Sequence, residues 1–405
     1  MSKHFVVVGA GQAAIAFAAK MREFDRVCAI TIVGEEASLP YQRPPLSKKY
    51  MTGDISAERL LLRPEDWYAR AGVTCHLSMQ AISIAPAVHQ VALADGTTLA
   101  YHKLLLATGS SPRRLPAAIG GDLGGVYVLR SLADADRLAG EMIPGKRVLI
   151  IGGGYIGLEA AAVAASLGLK VHLVEAASRI LQRVAAPRTS DYFRALHASH
   201  GVTIMEARAL KALEGENGRL RRARFADGSG LDIDFVLVGI GVTPNDQIAG
   251  RAGLALANGI AVDAFACTSD PDIYAAGDCA SFEFRGERIR LESVQNAIDQ
   301  AEIAARAIAG QSVAYQPVPW FWSDQYDVKL QIAGLNAGYD QTIIRPGPRD
   351  GAISVWYFAK GTMIAVDSIN DAKTYMYGKR MLELCRNITP EQAGDSGFDL
   401  KSVVA

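Results

Sequence analysis

The sequence predicts an α/β fold: two Rossmann-like units, one inserted into the other, followed by a small α+β domain. Three observations predict it. Phe5-Val-Val-Val-Gly9-Ala-Gly11-Gln-Ala-Ala14 reads as a short apolar strand, a glycine-rich turn and the start of an Ala-rich helix. Val148-Leu-Ile-Ile-Gly152-Gly-Gly154-Tyr-Ile-Gly157 repeats that phrase in the middle of the chain. From about Gln316 the pattern changes to short strand-like runs separated by turn signals.

Each glycine-rich turn has the chemistry to seat the pyrophosphate of a dinucleotide. The first glycine makes the tight turn, the second lets backbone approach phosphate, and the third lets helix pack on strand. The helix N-terminus then offers unpaired N–H groups and positive potential. Each turn is followed by a strand with an acidic end: Ala29-Ile-Thr-Ile-Val-Gly34-Glu35-Glu36 and Lys170-Val-His-Leu-Val-Glu175. A carboxylate there accepts hydrogen bonds from ribose hydroxyls and repels a 2′-phosphate. Glu35 is favoured over Glu36, which stays open. Glu175 points to NADH over NADPH, against which Arg179 and Arg183 stand nearby. Two such motifs indicate a protein that holds two dinucleotides at once.

The first unit runs through an apolar strand at 103–107 and stops at Thr108-Gly-Ser-Ser-Pro112. The second ends on a parallel phrase, Phe235-Val-Leu-Val-Gly239-Ile-Gly-Val-Thr-Pro244. Both phrases are buried strands followed by Gly and Pro, where the chain can cross between domains. A third buried strand, Asp272-Ile-Tyr-Ala-Ala-Gly277-Asp278, precedes a periodic helix over 294–308. Asp278 also reads as a helix N-cap. In the last domain, strands are expected over 329–335, 342–345, 353–358 and 363–369, with a final helix over 371–386. The domains so delimited are 1–114 with 245–315, then 115–244, then 316–405.

The bulk numbers fit this division. At 405 residues the chain exceeds one typical core. Lys and Arg total 42, as do Asp and Glu, so bulk charge implies neither nucleic acid nor a membrane surface as partner. No apolar run approaches the roughly 18 residues of a transmembrane helix. A fingerprint beginning at Gly9 leaves no room for a removable leader, and the expectation is a cytoplasmic protein. Cys28, Cys75, Cys267, Cys279 and Cys385 include no close pair, and the seven histidines lack ligand spacing, so no metal site is expected.

Six phrases occur in one order: strand-Gly9-x-Gly11, Pro40-Tyr-Gln-Arg-Pro-Pro-Leu-Ser-Lys48, Ala107-Thr-Gly109, Gly152-Gly-Gly-Tyr-Ile-Gly-Leu-Glu159, Gly277-Asp278 and Pro319-Trp-Phe-Trp-Ser-Asp-Gln325. Together they resemble the FAD-dependent ferredoxin reductases of the putidaredoxin reductase type, a group that includes the reductases of biphenyl dioxygenase systems. The resemblance covers essentially the whole chain. Ala14 is a small departure, where many relatives carry the third glycine, and alanine is a tolerated variant there.

The resemblance implies a glutathione-reductase-like fold with an FAD domain in two segments, an inserted NADH domain and a C-terminal domain. It implies Gly9, Gly11 and Ala14 under the FAD pyrophosphate, and Glu35 at the adenosine ribose. Arg43 and Lys48 would flank the cofactor, Lys48 close to the flavin ring. Ala81 would lie at the adenine, with Arg130 also near FAD. Asp278 would bond the ribityl chain or phosphates, and Val294 would lie against the isoalloxazine. Ala107, Thr108, Gly109, Gly277 and Trp320 complete the FAD set, although Trp320 and Trp322 read equally well as core. On the NADH side, Gly152, Gly153, Gly154, Tyr155, Ile156 and Gly157 would form the pyrophosphate turn, with Glu175 at the ribose. Arg183 and Gly241 belong to the same set. Glu159 would approach the nicotinamide carboxamide and pair with Lys48, and these two are the catalytic candidates.

The activity implied is NADH-dependent reduction of FAD, followed by single-electron delivery to a small acidic [2Fe–2S] ferredoxin. That ferredoxin would serve a P450 or a ring-hydroxylating dioxygenase. A basic docking surface is then expected, with Arg288, Arg290, Lys373, Lys379 and Arg380 as candidates. Oligomeric state stays open, with a monomer as the guess. Flavin disulfide reductases and NADH oxidases share this fold but need cysteine near the flavin, and 41–48 holds none. A redox-dependent signalling flavoprotein of the apoptosis-inducing-factor type is the remaining alternative.

Overall fold

Phe5-Val-Val-Val is apolar on both faces, so it is stable only where both faces are covered, at the centre of a parallel sheet. That is where it lies: Phe5, Val6, Val7 and Val8 are all buried. The computed structural model describes residues 3–405. They form two compact units, one of 3–43, Ser56–Ser111 and Val242–Pro317, the other of Pro44–Ile55, Pro112–Gly241 and Val318–Ala405.

In the first unit five parallel strands stand in the order Ile273–Ala275, Lys103–Leu106, His4–Val8, Ala29–Val33, Val73–His76. The fingerprint strand is central, and the helix that follows it, Gln12–Phe24, packs on Val294–Ile308. Alanines face each other across that pair: Ala14 and Ala18 share one core with Ala297, Ala301, Ala304 and Ala305. Small side chains on both sides let the helix axes approach. The helix expected at 294–308 has those bounds, and Ser293 caps it by accepting from the Asn296 N–H at 3.1 Å. Asp278 caps no helix; it sits in the turn between the strands Ile273–Ala275 and Ala280–Phe284.

The second unit holds its own parallel sheet, in the order Thr203–Met205, Lys170–Val174, Arg147–Ile151, Phe235–Val238, Val126–Tyr127. It also holds an antiparallel sheet, Trp320–Gln325, Val328–Gly334, Thr362–Ile369, Ile353–Ala359, Gln341–Pro346, covered by the helix Ala372–Glu383. The Trp-Phe-Trp-Ser-Asp-Gln motif, Trp320–Gln325, is an edge strand of this sheet. A hairpin of Leu210–Glu216 and Arg219–Phe225 adds a further antiparallel pair to this unit. Its turn, Asn217-Gly218, has both residues at positive φ, the pairing that tight hairpin turns favour.

The tail after Thr389 carries no chemistry that the sequence reveals, yet it is fixed. Arg345, 8% exposed, donates to the carbonyls of Gln392, Ala393, Asp395, Ser396 and Phe398. A cation near the end of the helix Pro390–Gly394 answers carbonyls that the helix leaves unpaired.

Candidate functional site

The first glycine turn separates into positions the protein needs and one it does not. Gly9 has φ +115°, and a Cβ there would stand 2.0 Å from the Ala107 carbonyl oxygen. Gly11 has φ −120°, open to any residue, and a Cβ there would meet nothing within 4 Å. Only something outside the fold requires the missing side chain, and it lies at a helix N-terminus. A nucleotide pyrophosphate fits that demand.

Around this turn the first unit gathers the other expected residues. Thr108 donates to the Asn245 carbonyl at 2.5 Å, and the Asn245 amide donates back to the Thr108 carbonyl at 2.9 Å. Gly109 has φ +68°. Ser110 Oγ donates to Asp278 Oδ2 at 2.8 Å, and the Gly277 N–H donates to Gln300 at 2.9 Å. Gln300 is fully buried and was not singled out from sequence. Glu35 is exposed, whereas Glu36 accepts from the Tyr41 hydroxyl at 2.5 Å and from Arg43 at 2.6 Å. Ala81 opens the strand Ala81–Ala85, and Val294 is the first residue of its helix.

The second turn repeats the division. Gly152 has φ +108°, with the Gly239 carbonyl oxygen 2.3 Å from a built Cβ; at Gly157 the Gly152 oxygen would be 2.1 Å away. Gly154 would meet nothing within 4 Å. Glu175 accepts from the Gly153 N–H at 2.7 Å and from the Ala177 N–H at 2.8 Å, which fixes its carboxylate beside the turn. Arg179 is committed to Ser190 and to the Gln182 carbonyl, while Arg183 is exposed. Ile156 is 51% exposed, and Tyr155 packs edge-on against Phe321 with its hydroxyl buried. Gly241 has φ +97°.

Glu159 sits on the helix Tyr155–Ser166, which is otherwise uncharged and largely buried. Its side chain is 3% exposed and paired with Lys48, Nζ to Oε2 at 2.6 Å. Ser47 also donates to Oε2, at 3.1 Å, and Ser323 donates to Oε1 at 2.8 Å. Lys48 belongs to the Arg-Pro-Pro-Leu-Ser-Lys segment, which Tyr50 pins to Asp136 at 2.6 Å. Lys48, Arg130 and Trp320, which the resemblance assigns to FAD, fold within this second unit.

Trp320 and Trp322 are half-buried, 5.8 Å apart, with the Lys379 ammonium 5.9 Å from the Trp320 ring. Of the basic candidates, Arg290 is 8% exposed at its side chain and paired with Glu292, so it presents no free charge. Arg288 donates to the carbonyls of Val262 and Ser281. Lys379 and Arg380 both bond Glu383. All five cysteines are free thiols. Among the described residues no His, Cys, Asp and Glu group could hold a metal, and no helix is long and apolar enough to cross a membrane.

The chain is similar to known reductases over nearly its whole length. It is 43% identical to a ferredoxin–NAD(P)(+) reductase of Sphingomonas sp., over 98% of this chain and 96% of that protein. The putidaredoxin reductase–putidaredoxin covalent complex matches with a TM-score of 0.96 at 36% identity, covering 99% of this chain and 98% of that one. The ferredoxin reductase for the CYP199A2 system of Rhodopseudomonas palustris matches with a TM-score of 0.96 at 40% identity, over all of both chains. Residues 320–404 match the reductase C-terminal model. With residues 3–301 matching its model, the chain belongs to the pyridine nucleotide-disulphide oxidoreductase family.

Proposed function

We propose that this protein is an FAD-dependent NADH:ferredoxin reductase that supplies electrons to a P450 or a ring-hydroxylating dioxygenase. One observation carries it. The chain has two helix-end cradles, each with a glycine that only a ligand needs, and no paired cysteines. Two dinucleotides without a disulfide leave an external acceptor as the outlet, and an electron-transfer protein is the acceptor that the names of the relatives support. FAD, when bound, supplies two-electron acceptance from NADH and one-electron release, which an iron–sulfur partner requires.

The residues divide that work. Gly11 with its helix, and Gly154 with its own, hold the two pyrophosphates. Glu175 meets the ribose hydroxyls and disfavours a 2′-phosphate. Lys48 offsets negative charge that gathers on the reduced cofactor, and Glu159 holds Lys48 and meets the nicotinamide carboxamide. The partner is a small acidic [2Fe–2S] ferredoxin. Lys373, Lys379 and Arg380, on the helix Ala372–Glu383, supply the basic face for it. The protein is cytoplasmic and monomeric in this reading.

The test is rapid mixing of the purified yellow protein with NADH, then with NADPH, while the visible flavin band is followed. Bleaching by NADH in strong preference is expected. Equal bleaching by both donors overturns the role of Glu175, and a colourless protein overturns the two-cradle reading.

A further inference from the structure

Behind Glu159 a line of polar side chains runs through the interior of the second unit. Ser323 and Gln325 lie two apart on the strand Trp320–Gln325, so they share one face, and both are fully buried. His197, on the helix Pro187–Ser199, is also fully buried. Gln325 Nε2 donates to Ser323 Oγ at 3.1 Å, and Gln325 Oε1 faces His197 Nε2 at 2.8 Å. His197 Nδ1 faces the Tyr326 hydroxyl at 3.2 Å, and Tyr326 stacks on the exposed His200 ring, centroids 3.7 Å apart.

These contacts have one consistent sense. The Gln325 nitrogen is used on Ser323, so its oxygen must accept, and His197 must carry its proton on Nε2. Nδ1 then accepts from Tyr326. Ser323, already accepting from Gln325, turns its one proton to Glu159 Oε1. Burial pushes the His197 ring below its ordinary value, with Gln325 opposing and His200 adding to the fall, which keeps it in this neutral form. Every donor in the line points toward the carboxylate. Lys48 and Ser47 hold the other oxygen, so Glu159 cannot turn without breaking a buried bond.

We propose that Ser323, Gln325 and His197 are positioning residues that lock the Glu159 carboxylate in register with Lys48 for hydride transfer. The inference rests on the role given to Glu159 and Lys48 above. It assigns a task to the Ser-Asp-Gln half of the Trp-Phe-Trp-Ser-Asp-Gln motif and to a histidine 128 residues from Gln325.

The experiment compares Ser323→Ala, His197→Phe and Glu159→Gln, singly and combined, in FAD-loaded protein. Three quantities are read: the limiting rate of flavin reduction by NADH, the flavin midpoint potential and FAD content. Ser323→Ala and His197→Phe should each slow reduction by about tenfold and shift the potential, with FAD retained. Neither should add to the loss in the Glu159→Gln background. Rates that multiply in that background, or an unchanged rate and potential in both single variants, overturn the inference. If Glu159→Gln alone changes nothing, the reading of Glu159 falls first and the inference with it. Tyr326→Phe, a milder change at the half-buried end, guards against a variant that does not fold. Nitrogen-15 NMR of the His197 ring should show Nε2 protonated, and an Nδ1-protonated ring overturns the stated sense.

Discussion

Asp367 is the buried carboxyl on which pH should act most strongly. It is 1% exposed, in the strand Thr362–Ile369, and its Oδ2 accepts from Thr189 at 2.8 Å and from Tyr357. Oδ1 is buried with no partner, and the buried Tyr155 phenol also senses its charge. Burial pushes Asp367 up to about 7 from the ordinary 3.8, and the bonds from Tyr357 and Thr189 recover only part of that. The sign follows directly. Between those two values the folded protein binds a proton that the unfolded chain has released, so stability falls as pH rises through that window. At about 1.4 kcal/mol per unit, the loss amounts to roughly 4 kcal/mol at most, and is complete above pH 7. Asp367→Asn imitates the protonated form. We expect it to melt higher than the parent at pH 8, and with little change between pH 5 and pH 8. A melting profile as steep as the parent's would place the titration elsewhere.

Among elements, the two glycine turns allow binding to be separated from folding. At Gly9, Gly152 and Gly157 an added Cβ meets backbone oxygen between 2.0 and 2.3 Å away, so substitution there damages the fold itself. Gly11 and Gly154 have clear space, so alanine there should leave the melting temperature of the FAD-free protein nearly unchanged. Gly11→Ala should then purify with little FAD. Gly154→Ala should keep FAD but need on the order of tenfold more NADH for half-maximal flavin reduction. Normal FAD content in Gly11→Ala would show that the first cradle is not where the pyrophosphate binds. These turns were legible in sequence because tight turns and close approaches are local. Glu159 was singled out only through the family resemblance, and its pairing with Lys48 at 2.6 Å is what the structure adds. The line behind it was not legible. Ser323 lies 164 residues from Glu159, and each residue in the line is ordinary until the fold assembles them. The one local signal is alternation, with Ser323 and Gln325 two apart on the strand Trp320–Gln325.

For the molecule as a whole, 42 basic and 42 acidic side chains cancel, so attraction of an acidic partner must come from a local surface. Only part of the sequence-derived cluster qualifies. Arg290 is buried against Glu292, while Arg288 is exposed and keeps its charge although it bonds backbone carbonyls. The helix Ala372–Glu383 carries three cations, Lys373, Lys379 and Arg380, against the carboxylates of Glu383 and of Asp371 at its N-cap. Its Met376 is 60% exposed, and Trp320, Met376, Lys379 and Arg380 line one groove. If the partner is acidic, as proposed, apolar side chains beside two cations and the one carboxylate of Glu383 suit a transient contact, which charge steers and the apolar centre then holds. Steering of this kind is screened within about 8 Å at physiological salt. Reduction of an acidic ferredoxin should therefore fall by about tenfold between low and high ionic strength. Reduction of a neutral quinone by the same protein should not, since its arrival needs no steering. Lys373→Ala with Arg380→Ala should flatten the ferredoxin curve, while Lys379 remains to pair with Glu383. An equally steep curve in that double variant would move the docking surface off this helix, and a flat curve in the parent would remove charge from recognition altogether.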